Sequence, residues 1–218
     1  MSARLRLEVM DAGRMPYSEA LDLQHRLVEA RRENSIPDTL ILVEHPPVIT
    51  MGRKATERDI LASRAELDAA GVEIHRITRG GEATYHGPGQ IVGYAIIDLA
   101  AHQRKVRLFV ERMEEVFVRL LERHYGIEAR RDEEHRGVWV GNEKITAIGI
   151  AITRGITMHG FAFNVSPDLS HFSWIIPCGI RDRGVTSLEA LTGKTLDLEK
   201  VKCQVVESFR SVFGYRES

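Results

Sequence analysis

The sequence predicts an α+β fold, one compact domain over residues 1–218 with room for a small subdomain, and three observations predict it. Short apolar runs bounded by Gly, Pro and charged residues read as strands. Stretches with a 3.6-residue apolar period interrupt them and dominate the C-terminal end. A chain of 218 residues is also long enough to bury a core without cross-links.

In order, the elements begin with a short strand over Leu5–Val9. A helix over Pro16–Arg32 follows, with Pro16 suited to the first turn and Leu21, Leu27 and Val28 forming a modest stripe. Thr39–Glu44 is an apolar strand stopped by His45-Pro46-Pro47, and Val48–Met51 is a second that ends in the basic tip Gly52-Arg53-Lys54. Ser63 with Glu66 has the spacing of a capping box for a helix ending at Gly71. Val72–Thr78 and Ile91–Asp98 read as strands. The helix over Arg104–His124 places Phe109, Met113, Val116, Phe117, Leu120 and Leu121 on one buried face, with Gly126 as its stop. Ser166–Gly184 reads as a long loop, long enough to suggest a function. Two helices end the chain, the first opened by Thr186 with Glu189 and the second carrying Val201, Val205, Phe209 and Val212 on one face.

A formal net charge of −1 with 28% charged residues leaves no global field for nucleic acid or an anionic membrane. Only Cys178 and Cys203 are present, without the paired spacing of a disulfide scaffold or a structural zinc site. With no apolar run long enough to span a bilayer and no signal-like start, the expected location is the cytoplasm.

Arg79-Gly80-Gly81-Glu82-Ala83-Thr84-Tyr85-His86-Gly87-Pro88-Gly89-Gln90 lies between two predicted strands, and it carries far more glycine than a reversal of the chain requires. The glycines let backbone amides face a ligand at close range, and Arg79, Thr84, Tyr85 and His86 supply donors around them. Ile145–Thr153 and Ile156–Val165 alternate on either side of Arg154-Gly155, a two-residue hairpin loop. That loop sets Ala147 opposite Ala162 and Gly149 opposite Gly160 on one face, with Ile148 opposite Phe161 and Thr146 opposite Phe163 on the other. The small-residue face is a trough, which serves either close packing of another element or a slender apolar ligand.

Cys178 sits between Pro177 and Gly179 with Arg181 and Arg183 close behind, an electropositive setting that favours a reactive thiolate. Cys203 lies off the apolar stripe of its helix and reads as structural. Lys144 stands at the mouth of the hairpin, where strict alternation puts it on the face opposite Ala147 and Gly149 unless a bulge intervenes.

The loop over Arg79–Gln90, together with Lys144-Ile145-Thr146-Ala147-Ile148-Gly149, His159-Gly160-Phe161-Ala162-Phe163-Asn164-Val165 and Pro177-Cys178-Gly179, closely resembles the lipoyl(octanoyl) transferase family, whose signature Arg-Gly-Gly-x-x-Thr-x-His-Gly-Pro-Gly-Gln is filled at every fixed position. The resemblance implies a biotin/lipoate protein ligase-like catalytic domain, a mixed sheet packed with helices and a smaller sheet beside it. It implies transfer of an octanoyl or lipoyl group from acyl carrier protein to a lysine of lipoyl domains, those of oxoacid dehydrogenase E2 subunits or the glycine cleavage H protein. No cofactor and no metal are implied. By motif, Cys178 matches an acyl-thioester nucleophile and Lys144 the partner that lowers its pKa. Arg79, Gly80, Gly81, Glu82, Ala83, Thr84, Tyr85 and His86, with Ala147, Ile148, Gly149, Gly160, Phe161 and Ala162, match the substrate-binding segments; Glu82 fills a variable slot and has no role of its own. On this resemblance the trough is where the eight-carbon chain lies.

Thiolate attack on a carrier thioester returns an enzyme thioester of similar energy, so the acyl group stays activated without ATP. A free cysteine with pKa of about 8.5 is mostly thiol at neutral pH, and an ammonium beside it favours the thiolate. Neutral Lys144 then takes the proton of the incoming amine. Four rival readings differ in observable ways. An ATP-dependent lipoate or biotin ligase of the same fold dispenses with Cys178. A cysteine hydrolase pairs it with His86, His159 or His171 and releases free acid. A non-catalytic acyl-carrier-binding module tolerates loss of both Cys178 and Lys144. A metal site of His159, His171 and Cys178 fits no standard zinc spacing.

Overall fold

The computed structural model describes residues 6–176 and 183–216. The first half contains β1 (Leu7–Arg14), α1 (Tyr17–Arg32), β2 (Asp38–Glu44), β3 (Val48–Met51), α2 (Arg64–Ala69), β4 (Glu73–Arg76), β5 (Ala83–His86) and β6 (Gln90–Ile96). The second half contains α3 (Val106–Tyr125), β7 (Arg130–Arg131), β8 (Val138–Val140), β9 (Glu143–Thr153), β10 (Ile156–Asn164), β11 (Gly184–Val185), α4 (Leu188–Thr192) and α5 (Leu198–Phe213).

The strands form two mixed sheets. The larger runs β1-β2-β6-β10-β9-β8-β7, with β1 parallel to β2, the rest of that path antiparallel, and β11 parallel to β9. The smaller runs β4-β3-β5. Both faces of the larger sheet are covered, which is why β2 reads as an uninterrupted apolar run: Leu40 and Leu42 join α3 and α5, while Ile41 and Val43 join α1. A third cluster, including Ile49, Leu67, Tyr85 and Phe172, lies under the smaller sheet.

Local chemistry sets the ends of the elements. Ser63 and Glu66 exchange hydrogen bonds as a capping box, and Gly126 closes α3 at φ +65°. The first C-terminal helix is capped by Ser187, whose Oγ accepts the Ala190 N–H at 3.2 Å, and not by Thr186, because Thr186 is still paired to the Lys144 carbonyl. Pro16 is the cap of α1 rather than its first residue, and the buried face of that helix is Tyr17, Ala20, Gln24 and Val28. Four strands escape the sequence reading. β5 lies inside the glycine-rich loop, and β7, β8 and β11 are too short to show a period. Among the described residues no helix is long and apolar enough to cross a membrane.

Candidate functional site

The hairpin register is the one that Arg154-Gly155 dictates. Ala147 pairs with Ala162, Gly149 with Gly160, Ile148 with Phe161 and Thr146 with Phe163. The ladder continues into β6, where Ala162 meets Val92 and Gly160 meets Tyr94. Two small-residue rows therefore cross three strands, from the β9 edge to a wall at Val92 and Tyr94. Two strand spacings make this about 9.5 Å, comparable with an extended eight-carbon chain. The trough is one wall of a small cavity, which Tyr17, Ile77, Arg79, Thr84, His86 and His159 also line.

The glycine-rich loop folds over the free edge of β9. The Gly80 N–H donates to the Ile150 carbonyl at 3.0 Å, and the tip Gly52-Arg53-Lys54 donates backbone N–H groups to the carbonyls of Glu82, Arg79 and Gly81. Arg79 is buried and turned inward, its Nη2 donating to the Thr50 carbonyl at 2.7 Å and to Thr50 Oγ1 at 2.9 Å. Two glycines of the trough serve close approach as well. A Cβ at Gly149 would stand 3.1 Å from Arg79 Cδ and 3.2 Å from the Gly80 oxygen, and one at Gly160 would stand 2.2 Å from the Gly93 oxygen. Packing and an open trough, alternatives in the sequence, coexist here.

The segments named from the resemblance divide by side-chain direction. Thr84 and His86 line the cavity, whereas Ala83 and Tyr85 alternate to the far side of β5 and join the third core cluster. Tyr85 Oη bonds His171 Nδ1 at 2.8 Å, which holds His171 stacked on Trp174 beside that cluster. Ile148 and Phe161 present backbone to the cavity, and their side chains pack with the α3 side, Phe161 at 4.7 Å between ring centres from Phe117. Glu82 lines the cavity rim.

The histidines and phenols in and behind the cavity are kept neutral, beside the charged Arg79. Gln90 donates its amide to the Tyr85 carbonyl and to Asn164 Oδ1, so its Oε1 is an acceptor and His86 Nδ1 must donate to it, leaving Nε2 as the basic nitrogen. Burial holds His86 well below the usual imidazole range, with His45 and Arg79 adding to the effect. His45 donates Nδ1–H to the Met15 carbonyl and accepts the Tyr94 hydroxyl at 2.6 Å; burial lowers it to about 4. His159, at φ +59°, gives its backbone N–H to Gln24 Oε1 and is pushed down to about 3, by burial first and then by Arg79. Burial also raises the Tyr17 and Tyr94 phenols. Tyr17, His45 and Tyr94 had no motif to announce them.

Lys144 departs from strict alternation. Across the β8–β9 ladder Val138 pairs with Thr146 but Trp139 pairs with Lys144, so Ile145 is one extra residue on β9. Ile145 drops into the main core, and the slip turns Lys144 toward the face of Ala147 and Gly149. Lys144 is buried, and it lines a cavity that shares Gly80, Gly81, Glu82 and Gly149 with the one above. Cys178, with Pro177 and Gly179, lies outside the described residues. Beyond them, Val185 pairs with Lys144. Cys203 is an exposed thiol on α5.

The described lipoyl protein ligase A/B catalytic domain matches residues 16–210. An octanoyltransferase of Caldicellulosiruptor bescii is 53% identical over 209 residues, covering 95% of this chain and 92% of that one. Another, of Alkaliphilus metalliredigens, is 50% identical over 211 residues and covers 97% of both chains. Among solved structures, a lipoate-protein ligase A bound with ATP superposes with a TM-score of 0.74 at 19% identity, over 99% of this chain and 89% of that one. A putative lipoate protein ligase of T. acidophilum with bound lipoic acid gives 0.72 at 17% identity, again over 99% and 89%. At such identities these two likenesses speak for the fold.

Proposed function

This chain belongs to the lipoyl protein ligase A/B catalytic domain family and within it to the octanoyltransferases, and from that premise we propose that it moves an octanoyl group from acyl carrier protein, through a thioester on Cys178, to the lysine of a lipoyl domain. It is an acyltransferase acting in lipoylation, with an acyl donor and lipoyl-domain acceptors. The observation that supports the finer reading is the position of Lys144. The bulge at Ile145 turns it to the trough face, and the strand that follows Pro177-Cys178-Gly179 in the chain pairs with it at Val185.

In this reading the octanoyl chain lies across the two small-residue rows with its carbonyl at the β9 edge. The Cys178 thiolate attacks the carrier thioester, forming the Cys178 thioester as the carrier C–S bond breaks, and the Lys144 ammonium gives its proton to the departing carrier thiolate and is left neutral. The acceptor amine then attacks, forming the amide, returning Cys178 as thiolate and passing its proton to neutral Lys144. His86 and His159, held neutral, do not compete for that proton. Extending one domain over residues 1–218 is part of the same proposal.

Incubation with octanoyl-acyl carrier protein alone should add one octanoyl mass, removable by hydroxylamine, absent in Cys178→Ser and retained in Cys203→Ser. An adduct on Cys203 or on a lysine would overturn the assignment.

A further inference from the structure

Trp139, the ladder partner of Lys144, is 1% exposed, and Lys144 Nζ lies 4.7 Å from the centre of its ring. Arg183 Cζ lies 5.0 Å from the same ring. An indole face attracts a cation, but two cations gathered at one ring repel each other unless one is neutralised. Arg183 is neutralised: its Nη1 donates to Asp132 Oδ2 at 2.6 Å. Asp132 is fixed in turn, its Oδ1 accepting the backbone N–H groups of Glu134 at 3.0 Å and His135 at 2.9 Å. The Arg183 bond first, with these backbone bonds adding to it, holds its carboxyl well below the usual range against the opposing effect of desolvation. Trp139 is anchored by the same segment, donating Nε1–H to the His135 carbonyl at 3.0 Å. Gly137, tied by its N–H to the buried Glu114, lies against the Lys144 stem.

We propose that Trp139 and Asp132 are positioning residues for Lys144, the indole holding the ammonium at the mouth of the trough and Asp132 cancelling the second cation at that indole so that Lys144 stays protonated until acyl transfer. Among the described residues, the other ionisable groups around Lys144 and Asp132 are Glu143 beside Lys144, Glu82 from the glycine-rich loop, Lys54 from the β3 tip, Glu134, His135 and Arg136 from the segment before β8, Glu114 behind Gly137, and Arg130, whose Nη1 lies 3.3 Å from Asp132 Oδ2. Asp132 is distinguished from the acids among them by its bond to Arg183.

This inference rests on Lys144 acting in the transfer, so the test separates the two. The Lys144 titration is followed in the full-length protein by the 13Cε shift, assigned with Lys144→Arg, beside kcat/KM for octanoyl transfer. Asp132→Asn, which keeps an oxygen for the backbone caps, should lower the Lys144 pKa by about one unit and move the alkaline limb of kcat/KM down with it. Adding Arg183→Met should restore most of both, since the uncancelled cation at the indole is then gone while Arg130 remains, and Asp132→Glu should resemble the parent. Trp139→Leu should cost roughly tenfold in kcat with KM for the carrier unchanged, and Trp139→Phe should recover most of it. An unchanged Lys144 pKa in Asp132→Asn, or one that stays low after Arg183→Met, would overturn the proposal. Should Trp139→Leu not fold, the Asp132 and Arg183 variants decide alone. Full activity of Lys144→Met would remove the catalytic reading beneath the proposal, whatever the titration shows.

Discussion

The two faces of the β6–β10–β9 ribbon are made by alternate residues of the same strands, yet they are built on opposite principles. Toward α3 and α5, Ile148, Phe161 and Phe163 close on Phe117 in a core with ring centres 4.7 Å and 5.1 Å apart. Toward α1 and the glycine-rich loop, Gly149, Gly160, Ala147 and Ala162 hold no such bulk, and buried His86, His159 and Arg79 border the space they leave. One face spends its residues on dispersion and burial. The other accepts the cost of desolvating polar groups, offset by hydrogen bonds and by keeping the histidines neutral. A binding surface is thus the face of a sheet where stability has been given up locally.

The sharpest way to break that comparison is to truncate at one register pair. Phe161→Ala should cost about 3–5 kcal/mol of stability in urea unfolding while activity per folded molecule changes little; a loss under about 1 kcal/mol would mean that this face is not the core. Gly160→Ala places a methyl against the Gly93 backbone oxygen and should cost about 1–3 kcal/mol. Gly149→Ala meets the Arg79 side chain and the Gly80 oxygen at longer range and should cost less in stability than Gly160→Ala; equal losses would remove the distinction between a glycine that packs strands and one that seats the loop.

Filling the trough without touching the backbone sharpens the contrast. Ala162→Leu should displace two or three methylenes of the acyl chain, at about 0.8 kcal/mol each, so kcat/KM should fall far more for octanoyl than for butanoyl carrier. Equal losses for both chains in a folded variant would place the acyl group elsewhere.

The smallest effect is electrostatic. His45 and His159 have folded pKa values lowered to about 4 and about 3, below the unfolded imidazole value, so between that value and those limits the unfolded chain binds more protons. Their contribution is complete at neutral pH and is lost as pH falls from about 6.5 toward 3. His159→Gln should make stability less steep over that window, by up to about 1.4 kcal/mol per pH unit. A parallel pair of stability–pH curves would show that His159 is not held neutral.

Local rules carried much of this protein. A two-residue loop with a fixed geometry determines its own register, so Arg154-Gly155 alone placed Gly149 opposite Gly160, and the apolar period of α3 with its Gly126 stop required no tertiary information. Some motif residues were likewise recognisable in line: the Arg79 to Gln90 loop stands out by its glycines and Cys178 by its neighbours, whereas Lys144 was named by the family motif alone.

Tertiary structure alone decided which way the motif residues point. The extra residue at Ile145 costs a ladder hydrogen bond that only packing against the main core offsets, so alternation sent Lys144 to the wrong face. Tyr85 faces away from the cavity with Ala83, and His171, 86 residues away, gives its hydroxyl a partner there. Trp139, Asp132 and Arg183 meet through ladder pairing, a cation at an indole and an ion pair between segments 51 residues apart. Such contacts are selected by what can be buried together, which a one-dimensional pattern does not contain.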